Sequence, residues 1–96
     1  QGIENYLQKL RSLDVVATLK TYRSRSELIR DAELDKALKL LAKGEDAEQV
    51  LTIMARNLTN KFMHQPSIEM KKAGASGREE LIGWAHELFG LNQEDD

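Results

Sequence analysis

From Val15 to Lys43 the sequence contains neither proline nor glycine, and this feature constrains the fold most strongly. The run predicts one helix about 43 Å long, at a rise of 1.5 Å per residue. A compact globule of this chain length has a radius of gyration of about 12–13 Å. Such a helix must protrude unless a second chain covers it. The alternative is a break near Ser24-Arg25-Ser26 that folds the helix back on itself.

A narrow apolar stripe runs along this long helix. It alternates steps of four and three residues through Val15, Leu19, Tyr22, Ser26 and Ile29. That alternation is typical of a coiled-coil seam. The stripe restarts in a shifted phase at Leu34, Ala37, Leu38 and Leu41. A narrow seam on an overlong helix predicts pairing with a helix of a second subunit.

A separate helix is predicted before the long one. Its apolar positions recur at helical spacing: Ile3, Tyr6, Leu7, Leu10 and Leu13. Ser12 and Asp14 carry the side-chain oxygens of a helix N-cap, so a boundary is expected near Asp14. This first helix is interpreted as the end of a longer helix, and a short independent helix is the alternative.

Glycine and proline divide the second half of the chain. Gly44 is predicted to end the long helix, and Asp46 with Gln49 forms a capping-box pattern at the start of the next one. That helix is expected to run from Ala47 to His64, because Pro66 disfavours helical backbone at the residue before it. The remaining predictions are a short helix after Pro66, a joint at 74–77, a helix over 78–89 and a stop at Gly90. The fold class is therefore all-α, with a long helix and about four main helices, paired between subunits.

The helix after Asp46 is apolar around much of its circumference. One face is marked by Ala47, Leu51, Met54, Leu58 and Phe62, and it is widened by Val50, Ile53 and Met63. This apolar surface is wider than the stripe of about 100° that a surface helix needs. We therefore expect the helix to pack on its own domain and on a partner.

Composition excludes several classes of protein. The chain has no cysteine, which rules out disulfides and thiolate metal sites, and a net charge of -2, which argues against a dedicated nucleic-acid binder. No apolar run approaches the roughly 18 residues of a membrane span. Because the first residue is Gln1 and no signal-peptide pattern follows, we expect a fragment of a longer soluble, cytoplasmic protein.

No catalytic, cofactor-binding or metal-binding residues are predicted. Gly74 and Gly77 follow a helix rather than a strand, which is the wrong context for a nucleotide loop. His64 has no carboxylate three or four residues away and is interpreted as structural, capping the end of its helix by bonding free carbonyls or a residue of a partner. His86 is interpreted as a surface residue.

Polar residues interrupt the apolar helix near its predicted end. Asn57 and Asn60 are poor helix formers. Polar residues at a helix interface can fix register and orientation. Thr59-Asn60-Lys61 is therefore a candidate polar lock between subunits, with simple solvent exposure as the alternative.

A basic face on the long helix offers an alternative function. Lys20, Arg23 and Arg30 lie together, and such a cluster could contact the phosphates of tRNA. A charge run on a long helix is more often a solvated face with ion pairs along the helix.

The segment from Asn57 to Ser67 reads Asn-Leu-Thr-Asn-Lys-Phe-Met-His-Gln-Pro-Ser. A helix that reads Leu-x-Asn-Lys-apolar-apolar-His and breaks at x-Pro-Ser resembles the C-terminal region of the glutamyl-tRNA reductase family. The upstream segment Leu10–Val16 is similar to the same family's entry into that region, and the resemblance spans Tyr6 to Leu91, including the closing segment that ends Glu87-Leu88-Phe89-Gly90-Leu91. Family members often carry proline where Ala17 stands and alanine where Gln65 stands.

The resemblance implies a homodimerisation domain reached by a long spinal helix in a V-shaped homodimer. The parent enzyme would use NADPH to reduce glutamyl-tRNA to glutamate-1-semialdehyde in tetrapyrrole (5-aminolevulinate, haem) biosynthesis, and would pass it to an aminomutase. Its cysteine nucleophile and NADPH-binding domain lie outside this sequence. Only Asn60-Lys61, His64 and Pro66-Ser67 carry over, with structural roles.

The predicted domains are 1–13, the end of the spinal helix; 14–91, the dimerisation domain; and 92–96, a disordered acidic tail. The candidate interface residues are Val15, Leu19, Tyr22, Ile29, Met54, Leu58, Asn60, Lys61, Phe62 and His64.

Overall fold

The computed structural model describes residues 2–92, and over this range the chain is all-helical. Three helices follow one another: α1 (Gly2–Ala42), α2 (Ala47–Ala75) and α3 (Glu79–Leu88). The all-α class is confirmed. The expected four main helices become three because the break near Asp14 is absent, and the short helix expected after Pro66 is continuous with α2. The predicted tail lies mostly in residues 93–96, outside the described range.

The first absent break is the one near Asp14. α1 is a single helix of 41 residues that passes through Asp14 and also through Ser24–Ser26, so both the boundary and the fold-back alternative are wrong. Serine and aspartate disfavour helical backbone only weakly. Because this stretch has no proline or glycine, nothing forces the backbone out of helical geometry. Whether a domain boundary lies at residue 13, within the continuous helix, stays a prediction.

The second absent break is the one at Pro66, which lies inside α2. Proline has no N–H, so the helical bond to the carbonyl of Phe62 is not made. The helix continues nonetheless to Ala75, and Pro66, Ser67 and Ile68 are half-buried. Packing of these residues favours the helical conformation that proline disfavours locally.

The helix ends follow the predicted capping chemistry. Gly44, Gly77 and Gly90 have positive φ angles of 90°, 73° and 69°, which place them in the left-handed region. After α1, the N–H of Glu45 donates to the carbonyl of Leu40 at 3.1 Å, which completes a Schellman motif. At the start of α2, Asp46 Oδ2 accepts the N–H of Gln49 at 3.0 Å, as an N-cap does.

The chain divides into two compact units, Gln1–Thr59 and Asn60–Asp96. The first holds α1 and the start of α2 as an antiparallel hairpin. Glu33, Ala37 and Val50 are buried there. The half-buried residues beside them are Ser26, Glu27, Ile29, Leu40, Met54, Asn57 and Leu58. The hairpin contact therefore involves the C-terminal half of α1 and leaves its N-terminal half exposed.

The second unit holds the rest of α2 together with α3. Ala73 and Ala85 are its buried residues. The half-buried residues are Pro66, Ser67, Ile68, Met70, Leu81 and Ile82. Small buried side chains allow the two helices to approach closely, and the Gly77 turn reverses the chain between them.

Candidate dimer interface

The apolar stripe of α1 is covered along only part of its length. Val15, Leu19 and Tyr22 are 57%, 60% and 62% exposed. The stripe then continues through Ser26 and Ile29, which are half-buried in the hairpin. The same face of α1 is therefore packed in one part and exposed in another. Its C-terminal part packs against α2, and no residue of this unit covers its N-terminal part.

The stripe does not shift phase as the sequence suggested. From Ile29 it continues to Glu33, Ala37 and Leu40, in steps of four, four and three residues. Ala37 was predicted correctly. The other three residues of the expected restart are exposed: Leu34, Leu38 and Leu41.

Glu33 was missed because a carboxylate was not expected in a packed stripe. Its side chain is only 3% exposed, and its Oε2 lies 2.9 Å from Nζ of Lys36. Extending the four-three spacing beyond Ile29 reaches Glu33 directly, so the signal was present in the sequence.

A second apolar stripe occupies the N-terminal third of α1. Its members are exposed: Ile3, Tyr6, Leu7, Leu10 and Leu13. At about 100° per residue, the centre of this stripe lies about 150° around the helix from the face of Val15, Leu19 and Tyr22. The two stripes therefore cannot contact one and the same flat surface.

The apolar surface of α2 is also wider than its own hairpin covers. Met54 and Leu58 are half-buried against α1, whereas Phe62 is exposed. Three further large apolar side chains of α2 are exposed: Leu51, Ile53 and Met63. The expected two-sided character of this helix agrees with that pattern, while the identity of what covers the outer side stays a prediction.

The candidate polar lock lies on the surface. Asn60, Lys61 and His64 are exposed, and Thr59 Oγ1 donates to the carbonyl of Ala55 at 3.3 Å. Exposure agrees both with a lock awaiting a partner and with simple solvation. His64 does not cap a helix end, because α2 continues for more than two turns beyond it. A bond from His64 to a residue of a partner stays a prediction.

The basic face of α1 is exposed but partly neutralised within the chain. Arg23 lies 4.0 Å from Glu27, and Arg30 lies 2.8 Å from Asp31. The hydrogen bond from Arg30 to Asp31 raises the pKa of the guanidinium. These pairs follow the ordinary pattern of a solvated helix face. Contact with tRNA through Lys20, Arg23 and Arg30 stays a prediction.

The described residues contain no group of three or more histidine, aspartate or glutamate side chains placed to hold a metal ion. Within the same range, no helix is both long and apolar enough to cross a membrane. What the surface does present is large apolar side chains on exposed helix faces, with polar groups beside them.

Comparison with known proteins agrees with the resemblance. A family model described as the glutamyl-tRNA(Glu) reductase dimerisation domain matches residues 1–91. Among curated proteins, the glutamyl-tRNA reductase of Stutzerimonas stutzeri is 50% identical over 92 residues, which is 96% of this chain and 22% of that protein.

Two further relatives bear the same name. The glutamyl-tRNA reductase of Marinobacter nauticus is 48% identical over 91 residues, covering 95% of this chain and 21% of its own length. The glutamyl-tRNA reductase of Hahella chejuensis is 44% identical over 93 residues, which is 97% of this chain and 22% of that protein. The chain therefore spans about a fifth of the length of these relatives. No solved structure matches it.

The match covers the whole of α1, α2 and α3, including the exposed stripes and the Asn-Lys segment. The chain belongs to the glutamyl-tRNA reductase dimerisation-domain family.

Proposed function

We propose that this chain works as the homodimerisation module of a glutamyl-tRNA reductase. One observation carries the proposal: among the described residues, the buried apolar side chains are only Ala37, Val50, Ala73 and Ala85. Large apolar residues are instead exposed along all three helices, including Leu19, Phe62 and Trp84. A soluble monomer rarely exposes contiguous apolar patches larger than a few hundred Å², so these faces favour a protein partner.

A second copy of the same chain is the partner that the family description favours. Stable interfaces bury about 1,200–2,000 Å² in total. The exposed half of α1 and the outer side of α2 offer apolar helix faces for such a contact, and burial contributes about 25 cal/mol per Å² before the costs of association.

The rest of the parent enzyme belongs to the same proposal. The relatives are named glutamyl-tRNA reductases. On that basis the parent enzyme would reduce glutamyl-tRNA to glutamate-1-semialdehyde with NADPH, as a step of tetrapyrrole biosynthesis in the cytoplasm. An aminomutase that takes up the product is a further expected partner. The chain covers about a fifth of its relatives, so the catalytic and NADPH-binding residues are assigned to the remaining length.

Light scattering of this chain across a concentration series tests the proposal. We expect a constant mass of about twice 10.9 kDa down to micromolar concentration. Mixing a tagged and an untagged chain should then give a mixed dimer, which separates true subunit exchange from an anomalous shape. A monomer throughout the series would contradict dimerisation as the function of this chain.

A further inference from the structure

We propose that two copies of the chain meet where their α1 helices cross at Leu19, with contact confined to the two turns from Val15 to Tyr22. The inference rests on the proposed homodimerisation and adds the surface that performs it.

The first support is continuity of one helix face. Val15, Leu19 and Tyr22 share the face that α2 covers further along, at Ile29, Glu33 and Ala37. In the first unit, α2 extends only from Ala47 to Thr59, which is about 20 Å of helix. α1 spans about 62 Å at the same rise. The apolar stripe of α1 is therefore longer than the part of α2 that packs against it within the unit. A helix from a second chain can pack on the uncovered part of the same face.

The second support is the lack of charge around this face. Between Val15 and Tyr22 the only charged residue is Lys20, which lies about 140° around the helix from the stripe at 100° per residue. Val16 and Thr18 flank the stripe and carry no charge. The nearest charged side chains at its edges are Arg11 and Arg23, one turn before Val15 and one turn after Leu19. A contact confined to these two turns leaves both arginines at its rim, in water, whereas burying an uncompensated charge is strongly unfavourable.

The charges beyond the two turns favour a crossing over lengthwise pairing. Parallel pairing would bring Arg25 near Arg30 of the partner subunit. Antiparallel pairing about Leu19 would bring Arg11 near Arg25 of the partner subunit. Two helices that cross at an angle touch only around the crossing point, so the arginines at either end diverge.

Symmetry fixes which residue lies at the centre. Most homodimers have a twofold axis, and the surface is then the same on both copies. Leu19 is the middle member of the stripe, so it meets its own copy, with Val15 and Tyr22 of each subunit on either side of it. Tyr22 supplies the largest apolar area of the three side chains.

Cysteine cross-linking tests this geometry directly, because the chain has no cysteine of its own. Crossing helix axes lie about 8–10 Å apart and each Cα lies about 2.3 Å from its axis, which leaves about 3–5 Å between facing Cα atoms. A disulfide spans a Cα separation of about 4.4–6.8 Å, so mild oxidation of Leu19→Cys should link two chains. The measurement is the rate of linked dimer formation on a non-reducing gel.

Three matched variants serve as controls. Ala17→Cys lies on the opposite face of α1, and Gln8→Cys and Ser12→Cys replace exposed residues on the same face before the two turns. We expect Leu19→Cys to link at least tenfold faster than any of them. Rapid linking of Gln8→Cys and Ser12→Cys as well would show parallel pairing along α1 and would overturn the crossing.

A charge substitution provides a second test that does not depend on cysteine chemistry. Leu19→Glu should raise the dissociation constant of the dimer by about 100-fold or more, because each subunit would bury an unpaired carboxylate. Leu28→Glu is the control, since Leu28 is 72% exposed on another face. Circular dichroism should show unchanged helix content in both variants, because Leu19 has no contact to lose in the hairpin.

The outcomes separate this inference from the proposed function. If the unmodified chain is dimeric but Leu19→Cys links no faster than Ala17→Cys, the contact lies elsewhere and the inference fails while homodimerisation stands. If Leu10→Glu dissociates the dimer and Leu19→Glu does not, the interface lies on the stripe that contains Leu10. That result would also overturn the inferred crossing at Leu19. A monomeric unmodified chain contradicts the proposed function itself.

Discussion

At the residue scale, Glu33 is the least expected member of the hairpin. A carboxylate in a packed stripe loses its hydration, and the ion pair with Lys36 compensates for part of that loss. Lys36 itself is largely exposed, so its ammonium remains hydrated while its stem reaches the buried carboxylate. Such pairs often add little net stability compared with apolar residues of similar size.

Replacing this residue tests that view. We expect Glu33→Leu to leave the free energy of unfolding unchanged or to raise it by about 1–2 kcal/mol, because leucine needs no ion pair in a buried position. Glu33→Ala should lower it instead, since it leaves unfilled space in the hairpin. Urea denaturation followed by circular dichroism measures both. A loss of stability in Glu33→Leu as large as in Glu33→Ala would show that the carboxylate itself is required.

Glu80 makes a second residue-scale prediction, through pH. The backbone N–H at the start of α3, and then Arg78, lower the pKa of this carboxyl below its ordinary value of 4.5. A carboxyl whose pKa is lower in the folded state stabilises the fold above its unfolded pKa, and this contribution is lost as the pH falls through the folded value. NMR titration should show Glu80 protonating below the ordinary pKa of 4.5. Arg78→Ala should reduce this lowering without removing it, because the backbone hydrogen bond remains.

At the element scale, the ends of the helices depend on single residues. Gly44→Ala should lower the free energy of unfolding by about 1 kcal/mol or slightly more, because φ is +90° and an L-residue is strained there. Gly83→Ala is the matched control inside α3. A Cβ at Gly83 would meet nothing within 4 Å, so this change should raise stability by about 0.5–1 kcal/mol. Thermal melts of the two variants should therefore shift in opposite directions, and equal shifts would contradict the argument.

These ends could be predicted from the sequence, whereas the helix interiors could not. Gly44, Asp46 and Gly90 act through bonds to residues a few positions away, so local sequence determines them. Asp14 and Pro66 carry equally local signals for a break, but the structure overrides both. At Pro66 the reason is tertiary: the residue is half-buried next to Ser67 and Ile68, and that packing is invisible to a local pattern.

The effect of Pro66 on the free energy of unfolding can be measured. We expect Pro66→Ala to raise the free energy of unfolding by about 1 kcal/mol or more, because alanine restores an N–H donor in the middle of a helix. Gln65→Ala is the control, since Gln65 is exposed and loses only its hydrogen bond to Glu69 at 3.0 Å; its effect should stay within about 0.5 kcal/mol. Chemical denaturation of both variants measures the difference. A destabilised Pro66→Ala would mean that the proline ring is needed for packing.

At the scale of the whole molecule, sequence periodicity identified the apolar faces but not their occupants. Ile29, Met54 and Leu58 were predicted alongside Val15, Leu19 and Tyr22 as one interface set. The structure shows that the first three are half-buried in the hairpin and the last three are exposed. A periodic pattern reports only that a face is apolar, so intramolecular and intermolecular contacts look alike in the sequence.

If a second chain completes this fold, stability must depend on protein concentration. Unfolding of a dimer releases two chains, so mass action raises the melting temperature as concentration rises. With ordinary unfolding enthalpies for chains of this length, a tenfold increase should raise the melting temperature by about 2–5 °C. Differential scanning calorimetry over a hundredfold range of concentration measures the slope. Leu19→Glu should reduce the dependence of the melting temperature on concentration, because it places a charge at the proposed crossing. Leu28→Glu places no charge there and should leave this dependence unchanged. A melting temperature of the unmodified chain that is independent of concentration would mean that each chain unfolds alone, with its exposed stripes facing water.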